Sequence, residues 1–228
     1  SGSVDCTIKI WKPDATRDLM DLKPWFRPMQ VIEGFNGWVN CLWAAPDILP
    51  GDTGELIVGD MSGTLSTYRT SSTIDEKGRA SHSLKLLRRK RKFSALGITS
   101  VSSIPELNMI VCATNENNIR VCDALSFKFI SKIENEENTT FTSIYWNPDE
   151  EELILIDKAS YLYVYKHSTR KLIVKIKVQN NPMQLTLEMN TIILCGLFSV
   201  ALWNIVRTRP TKEYKCHTAP VVGMYIKP

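Results

Sequence analysis

The sequence predicts an all-β fold, namely a β-propeller of four-stranded antiparallel blades, with four complete blades and partial blades at both ends. Short apolar runs recur along the chain between clusters of Gly, Asn, Asp, Ser and Pro, which is the pattern of strands and turns. These runs form sets of four at about the 40–50-residue spacing of propeller blades. No segment has a convincing helical period, so a fold of many short antiparallel strands in fours is favoured.

The first two sets precede the acidic stretch that begins at Glu134. In chain order their strands are predicted at Val39–Trp43, Leu56–Gly59, Leu65–Tyr68 and Leu84–Leu87, followed by Ile98–Val101, Met109–Ala113, Ile119–Val121 and Phe127–Ile133. Two glycine-rich stretches separate strands of the first set. We interpret Pro50–Gly54 and Gly59–Gly63 as hairpin turns that need positive φ.

The last two sets complete the predicted blades. Their strands are predicted at Phe141–Trp146, Leu153–Ile156, Leu162–Tyr165 and Leu172–Val178, followed by Met183–Leu187, Ile192–Cys195, Val200–Trp203 and Lys212–Lys215. Residues 1–228 are therefore predicted to form a single propeller, or a part of a larger one.

The segment Lys12–Pro28 is longer than a blade hairpin needs, and we predict it as an inserted loop between strands. Within it, Ala15–Leu22 has the composition of one or two helical turns, and prolines follow closely behind. Trp25-Phe26-Arg27-Pro28 adds aromatic side chains. These either dock a partner or fold back onto the side of a blade.

The two ends of the chain carry the most specific motifs. SVDCTIKIW, at Ser3–Trp11, resembles the third-strand signature of WD-repeat propellers, and CHTAPVVGMYIKP, at the C-terminal end, resembles the opening of their repeat. The resemblance implies a buried hydrogen-bond network between a strand-two Ser, a turn Asp, a strand-three Trp and the opening His. The matching residues here are Ser3, Asp5, Trp11 and His217.

The inner repeats depart from that pattern, because none of them opens with Gly-His. Three residues stand about where the resemblance places the Trp, namely Tyr68, Val121 and Tyr165. Asp60 and Asp157 are candidate turn aspartates, whereas Asn118 is nearer that role in the second complete blade. We expect these divergent blades to be held mainly by alternating apolar packing.

The partial repeats at the two ends complement each other. Either the ends close a ring of about five blades by sharing one blade, or the chain is a cut from a ring of seven or eight. Close approach of Ser3–Trp11 to Val221–Ile226 is the arrangement that closure predicts.

Composition is ordinary for a globular protein, with 43% apolar residues, 23% charged residues and a net charge of +4. No apolar run approaches the length of a membrane span. The six cysteines are scattered singly and no CxxC pair exists, so buried free thiols are favoured over a zinc site. We therefore expect an intracellular protein without a cofactor or metal, in the cytoplasm or alternatively in the nucleus.

Catalysis has little support in this sequence. The three histidines lie far apart, and neither GxxxxGK[ST] nor GxGxxG occurs. The acidic clusters Glu134–Glu137 and Asp149–Glu152 fall in turns between predicted strands, where solvated charge is the ordinary state. We predict that the protein is not an enzyme and has no small-molecule substrate.

The densest charge lies in RRKRK, at Arg88, Arg89, Lys90, Arg91 and Lys92. Three interpretations remain open. The run guards the outermost strand of a blade against edge-to-edge pairing, binds an acidic protein partner, or contacts nucleic acid or an import receptor. Since Phe93 is the one aromatic beside it, base stacking has little support.

The remaining candidates are loops expected on one propeller face. They carry aromatics and Met among Asn and Asp, a mixture enriched where proteins bind proteins. The candidate partner-binding residues are Phe35, Asn36, Trp38, Asp60, Met61, Phe93, Asn117, Asn181 and Phe198. Each aromatic alone has packing between blades as its alternative role. We expect a non-enzymatic scaffold that binds a peptide or domain of a protein partner within a complex, with a nucleic-acid module using Arg88–Lys92 as the alternative.

Overall fold

The computed structural model describes residues 1–13, 26–44, 54–74, 80–178, 184–188, 191–196, 198–204, 210–215, 218–219 and 221. The chain divides into two compact units, Ser1–Ile98 and Thr99–Pro228. Within the described residues, all regular structure is antiparallel β-sheet except for one 3₁₀ turn at Pro105–Leu107. The predicted all-β blade architecture is confirmed, and all sixteen predicted strands are present with shifts of a few residues at their ends.

The first unit contains a two-stranded sheet and blade one. The two-stranded sheet pairs β1 (Ile8–Pro13) with β2 (Phe26–Ile32). Blade one has the strand order β3 (Val39–Ala44), β4 (Glu55–Asp60), β5 (Leu65–Ile74) and β6 (Ala80–Lys90). Ile8, Phe35, Val39, Val58 and Tyr68 form its buried core.

Strand β2 was missed by the sequence prediction, which placed Lys12–Pro28 in a loop. The strands β1 and β2 extend into both ends of that segment, and its middle, including Ala15–Leu22 and Trp25, lies outside the described residues. The side chain of Gln30 also ties β2 to blade one, because its amide accepts from Leu84 N at 2.8 Å and donates to Leu84 O at 3.1 Å.

The β5–β6 hairpin is longer than predicted. The prediction ended β5 at Tyr68 and began β6 at Leu84, whereas the two strands continue to Ile74 and from Ala80. The extension of β5 is RTSSTI, in which Ser and Thr replace the alternating apolar residues that signal a strand. It pairs through its backbone, which hydrophobic patterning does not report.

Blades two, three and four follow along the chain, each with its strands paired in sequence order. Their strands are β7 (Ile98–Ile104), β8 (Met109–Thr114), β9 (Asn118–Asp123) and β10 (Phe129–Glu134) in blade two, β11 (Phe141–Asn147), β12 (Glu152–Asp157), β13 (Tyr161–Lys166) and β14 (Lys171–Lys177) in blade three, and β15 (Gln184–Glu188), β16 (Thr191–Cys195), β17 (Val200–Asn204) and β18 (Lys212–Tyr214) in blade four.

Blade three is buried on both faces. Leu153 and Leu155 of β12 pack into a core shared with blade two, and Ile154 and Ile156 pack into one shared with blade four. A strand with two covered faces can be a continuous apolar run, and β12 has the sequence ELILID. Full burial of each such side chain contributes about 1.5–3 kcal/mol, so β12 contributes strongly to the stability of the second unit.

The strand register corrects one predicted equivalence. Tyr68, Tyr165 and Trp203 each lie opposite an apolar residue of the preceding strand, namely Leu56, Leu153 and Ile192. In blade two the corresponding residue is Cys122, opposite Ile110, and not the predicted Val121. The prediction was one residue off because Val121 and Cys122 are both apolar and both buried.

Candidate partner-binding surface

Two loops of the first unit meet around Trp38. The loop before β3 carries Asn36, Gly37 and Trp38, and the turn after β4 carries Met61 and Ser62. Met61 N donates a 2.9 Å hydrogen bond to Trp38 O, which joins the two loops. These five residues line an open surface depression of about 260 Å³. We call them the Trp38 patch.

The Trp38 patch presents an aromatic side chain on a fixed backbone. Trp38 is 54% exposed, although it is among the largest apolar side chains of the chain. Gly37 permits the close approach of the loops, since a Cβ there would lie 2.6 Å from Ser62 N. Three of the nine predicted partner-binding residues, Asn36, Trp38 and Met61, are thus brought together. Gly37 and Ser62, which also line the depression, were not predicted.

Asp60 stabilises the turn that carries Met61 and Ser62 of the Trp38 patch. It is buried, and its Oδ1 accepts hydrogen bonds from Ser62 N at 2.9 Å, Ser62 Oγ at 2.6 Å and Thr64 N at 2.9 Å. Its Oδ2 is buried without a hydrogen-bond partner among the described residues. Asp60 therefore holds the turn instead of facing a partner, as a turn aspartate does.

Phe35 and Phe93 lie in the interior of the first unit, 8% and 4% exposed. The Phe35 ring contacts the Tyr68 ring at a centroid distance of 6.3 Å, and the Arg89 guanidinium lies 5.2 Å from its centroid. Lys90 Nζ lies 5.8 Å from the Phe93 centroid. Both rings are therefore buried within the first unit.

In the second unit, Asn117 cross-links two loops. Its Nδ2 donates to Asn138 O at 3.0 Å, and its Oδ1 accepts from Thr140 Oγ1 at 3.0 Å. Both polar atoms of the Asn117 side chain thus form hydrogen bonds within the protein. Phe198 is 47% exposed in the turn between β16 and β17, whereas Asn181 lies outside the described residues.

The first three residues of the basic run, Arg88–Lys90, lie at the end of β6, the outermost strand of blade one. Arg89 points into the protein and is half-buried. It donates to Tyr68 OH at 2.8 Å, to Gly34 O at 3.1 Å and to Ser66 Oγ at 3.3 Å. Arg91 and Lys92 are exposed in the turn after β6. The run is consequently divided, because Arg89 is a structural residue of the blade.

The WD-type network implied at the ends of the chain differs in its hydrogen bonds. Trp11 is 43% exposed, and its Nε1 donates to Ser1 Oγ at 2.8 Å instead of to Ser3. Asp5 accepts from Thr7 Oγ1 at 2.6 Å and from Lys9 Nζ at 2.8 Å. The hydrogen bond from Lys9 holds the pKa of Asp5 well below its usual range.

His217, the opening His of the implied network, lies outside the described residues. So does nearly all of Val221–Ile226, the segment that ring closure would bring close to Ser3–Trp11. The predicted turn is nevertheless present, because Ser3 N donates to Thr7 O and Gly2 forms an antiparallel bridge with Ile8.

Blade three contains a buried polar network that the sequence prediction missed. Asp157 Oδ2 accepts from Asn135 Nδ2 at 3.1 Å, from Thr139 Oγ1 at 2.9 Å and from Tyr163 OH at 2.9 Å. Burial and the hydrogen bond to Asp157 raise the pKa of Tyr163. Blade three therefore has a buried polar network in addition to its apolar packing.

The residues of this network occupy positions in the blade similar to those of the implied WD-type network, but they are of other types. Asp157 ends the second strand of the blade, Tyr163 lies on the third, and Asn135 lies in the loop that opens the blade. In blade two Thr114 occupies the position of the aspartate, and its Oγ1 donates to Asn118 Oδ1 at 3.0 Å. A turn aspartate followed by a Tyr on the next strand is the sequence pattern from which this network could have been predicted.

Within the part of the chain that the structure describes, no three His, Cys, Asp or Glu side chains lie close enough together to hold a metal ion. No helix in that part has the length and hydropathy to cross a membrane.

Comparison with known proteins supports the fold. No protein-family model matches the chain, and no curated protein matches it. Among solved structures, that of Saccharomyces cerevisiae Sqt1 matches with a TM-score of 0.70 at 11% identity, over 97% of this chain. A chain in the structure of the Mitotic Checkpoint Complex matches with a TM-score of 0.68 at 12% identity, over 96% of this chain.

This chain spans 59% and 62% of the lengths of those two chains, respectively. Both are WD-repeat proteins, and identities this low carry information on fold alone. Together with the four four-stranded antiparallel sheets, they show that the chain has the fold of a WD-repeat β-propeller.

Proposed function

We propose that this chain is a non-enzymatic protein-interaction scaffold that binds a peptide or domain of a partner through the Trp38 patch. The observation that carries the proposal is the exposure of Trp38 on a backbone fixed by neighbouring loops. Trp is enriched among the residues that dominate binding energy at protein interfaces. A solvent-exposed Trp beside Met and Asn is the composition expected at such an interface.

Preorganisation supports the same proposal. Asp60 holds Ser62 and Thr64 in the turn, and Gly37 lets the loop before β3 pack against Ser62. A partner that docks on loops already held in place loses less conformational entropy on binding. The Trp38 patch is therefore a preorganised surface to which a partner can bind.

The comparison proteins are compatible with a role in assemblies, since one of them belongs to the Mitotic Checkpoint Complex. We place this chain in a multi-protein complex as part of the proposal, inside the cell, in the cytoplasm or the nucleus. The five described cysteines are free thiols, which is their usual state in a reducing compartment.

The nucleic-acid alternative has weaker support. Arg89 is engaged by Tyr68, Gly34 and Ser66, so RRKRK does not present an unbroken row of cations to phosphate. Salt dependence separates the alternatives. Phosphate contacts lose affinity steeply as salt rises, whereas binding through a hydrophobic patch does not.

The test is affinity purification of the intact protein and of Trp38→Ala, followed by quantitative mass spectrometry. We expect at least one protein partner of the wild type to fall by about tenfold with Trp38→Ala, the equivalent of about 1.4 kcal/mol. Tyr214→Ala is the matched control, because Tyr214 is a 42% exposed aromatic in the other unit. Unchanged partners with Trp38→Ala, or no co-purifying protein, would contradict the proposal.

A further inference from the structure

A second cavity lies in the other unit, between the sheets of blades two and three. It has a volume of about 190 Å³. Its floor consists of buried apolar side chains, among them Val111 and Val121 of blade two and Leu153 of blade three. This floor belongs to the apolar core that the two blades share. We call this cavity the inter-blade pocket.

The rim of the inter-blade pocket is basic. Three of its lining residues, Lys132, Lys166 and Arg170, are cations, His167 lines it beside them, and no acidic residue lines it. Lys132 forms an exposed ion pair with Glu134 at 2.5 Å, and Lys166 donates to the backbone carbonyl of Glu150. Arg170 is exposed and has no side-chain hydrogen bond or ion pair among the described residues.

The walls of the pocket are fixed by neighbouring contacts. The His167 ring packs edge-on against the Trp146 ring at 5.7 Å, and Trp146 Nε1 donates to Glu106 at 3.2 Å. Ser131, on the outermost strand of blade two, contributes a small side chain to the lining, which leaves space that a larger residue would fill. The cavity is therefore a preformed feature of the packed blades.

Size and charge together indicate which class of ligand the pocket suits. The volume is below the roughly 300–1,000 Å³ of typical small-molecule sites, so the pocket suits a single large apolar side chain. Buried anchors of that kind carry much of the affinity at protein interfaces. The surrounding cations favour carboxylates on either side of the anchor, because opposite charges across an interface select the partner.

We propose that the inter-blade pocket binds an acidic peptide segment of a partner protein, with one Phe or Leu side chain inserted and flanking carboxylates near Arg170, Lys166 and Lys132. This site lies in a different unit from the Trp38 patch and does not depend on it.

The probe is a synthetic peptide, Asp-Asp-Glu-Phe-Asp-Glu, titrated into the ¹⁵N-labelled protein and followed by NMR. We expect saturable shifts at residues 131–133 and 166–170 and at the Trp146 indole. Replacing Phe by Ser, or every acid by Lys, is expected to weaken binding by at least about tenfold. No saturable shifts at these residues up to about 2 mM peptide, where even a millimolar Kd would be visible, overturns the proposal.

Protein variants separate the pocket from general charge attraction. Arg170→Glu is expected to weaken binding of the peptide by about fivefold or more. Ser131→Phe, which fills the pocket, is expected to weaken it by at least about tenfold. Lys158→Glu is the matched control, an exposed cation that does not line the pocket, and it should leave affinity within about twofold. Each variant's own spectrum reports whether it is folded.

Two further outcomes would overturn the proposal. Equal losses with Arg170→Glu and Lys158→Glu would indicate non-specific attraction, and shifts confined to residues 36–38 and 61–62 would assign the peptide to the Trp38 patch. Trp38→Ala should leave this titration unchanged, so failure of the two proposals can be told apart.

Discussion

Asn135 and Asp157 are joined by a 3.1 Å hydrogen bond between Nδ2 and Oδ2, although they lie 22 residues apart. Both side chains are buried, and the same Asp157 oxygen accepts from Thr139 and Tyr163. The bond connects the loop that opens blade three to the end of its second strand. A buried carboxylate with several donors stabilises the fold only while its donors remain.

Removal of the amide tests this network. Asn135→Ala should lower the free energy of unfolding by about 1–3 kcal/mol, because a buried carboxylate oxygen loses a donor. Urea denaturation measures the loss. Asn138→Gly is the control, because glycine tolerates the positive φ of 52° at this position and the change removes only an exposed side-chain hydrogen bond, so it should cost less than about 0.5 kcal/mol. Equal effects would show that Asn135 has no special role.

Stability should fall at alkaline pH partly through Tyr163. Its pKa in the folded protein is raised, first by burial and then by its hydrogen bond to Asp157. Tyrosine in an unfolded chain ionises near pH 10. The stability that Tyr163 contributes is therefore fully present below about pH 9 and decreases as pH rises further. Urea unfolding at pH 8 and at pH 10.5 should show a smaller decrease for Tyr163→Phe than for the wild type.

The remaining alkaline loss in Tyr163→Phe should come from other buried acids, since burial also raises the pKa of Tyr165. An identical decrease in Tyr163→Phe and the wild type would contradict the assignment to Tyr163.

Cys41 should resist alkylation. Burial raises the pKa of its thiol to about 12, and the thiol donates to Gly59 O at 3.6 Å. Since the thiolate is the nucleophile, iodoacetamide at pH 8 should leave Cys41 unmodified in the folded protein. Peptide mass spectrometry measures this, with urea-unfolded protein as the positive control. Modification of Cys41 in the folded state at a rate similar to the unfolded rate would refute it.

Arg89 should matter for stability more than its neighbours in the basic run. Arg89→Ala leaves Tyr68 OH and Gly34 O without their donor and exposes the Phe35 ring, so we expect a loss of about 1–3 kcal/mol. Arg91→Ala, at an exposed position two residues on, should change stability by less than about 0.5 kcal/mol. Thermal and urea unfolding provide the comparison, and similar losses for both variants would argue against a structural role for Arg89.

The candidate surface was partly predictable. Asn36, Trp38 and Met61 were chosen from loop position and composition, and the structure brings them together. Phe35 and Asp60 lie next to these residues in the sequence and Phe93 lies in the loop after β6, but all three are buried. A loop assignment gives the position of a side chain along the chain and not its direction, because that direction depends on which neighbouring side chain occupies the interior.

The sequence by itself determined the sixteen strands of the four blades, their grouping in fours and their order, but not β2 or the full length of the β5–β6 hairpin. Consecutive antiparallel strands joined by short turns pair locally, so alternation and turn residues are sufficient to predict them. The tertiary structure decided which side chains meet across loops and sheets. Arg89 and Gly34, Asn135 and Asp157, and the two walls of the inter-blade pocket come together only when separate segments pack, and that packing depends on side-chain shape rather than on periodicity.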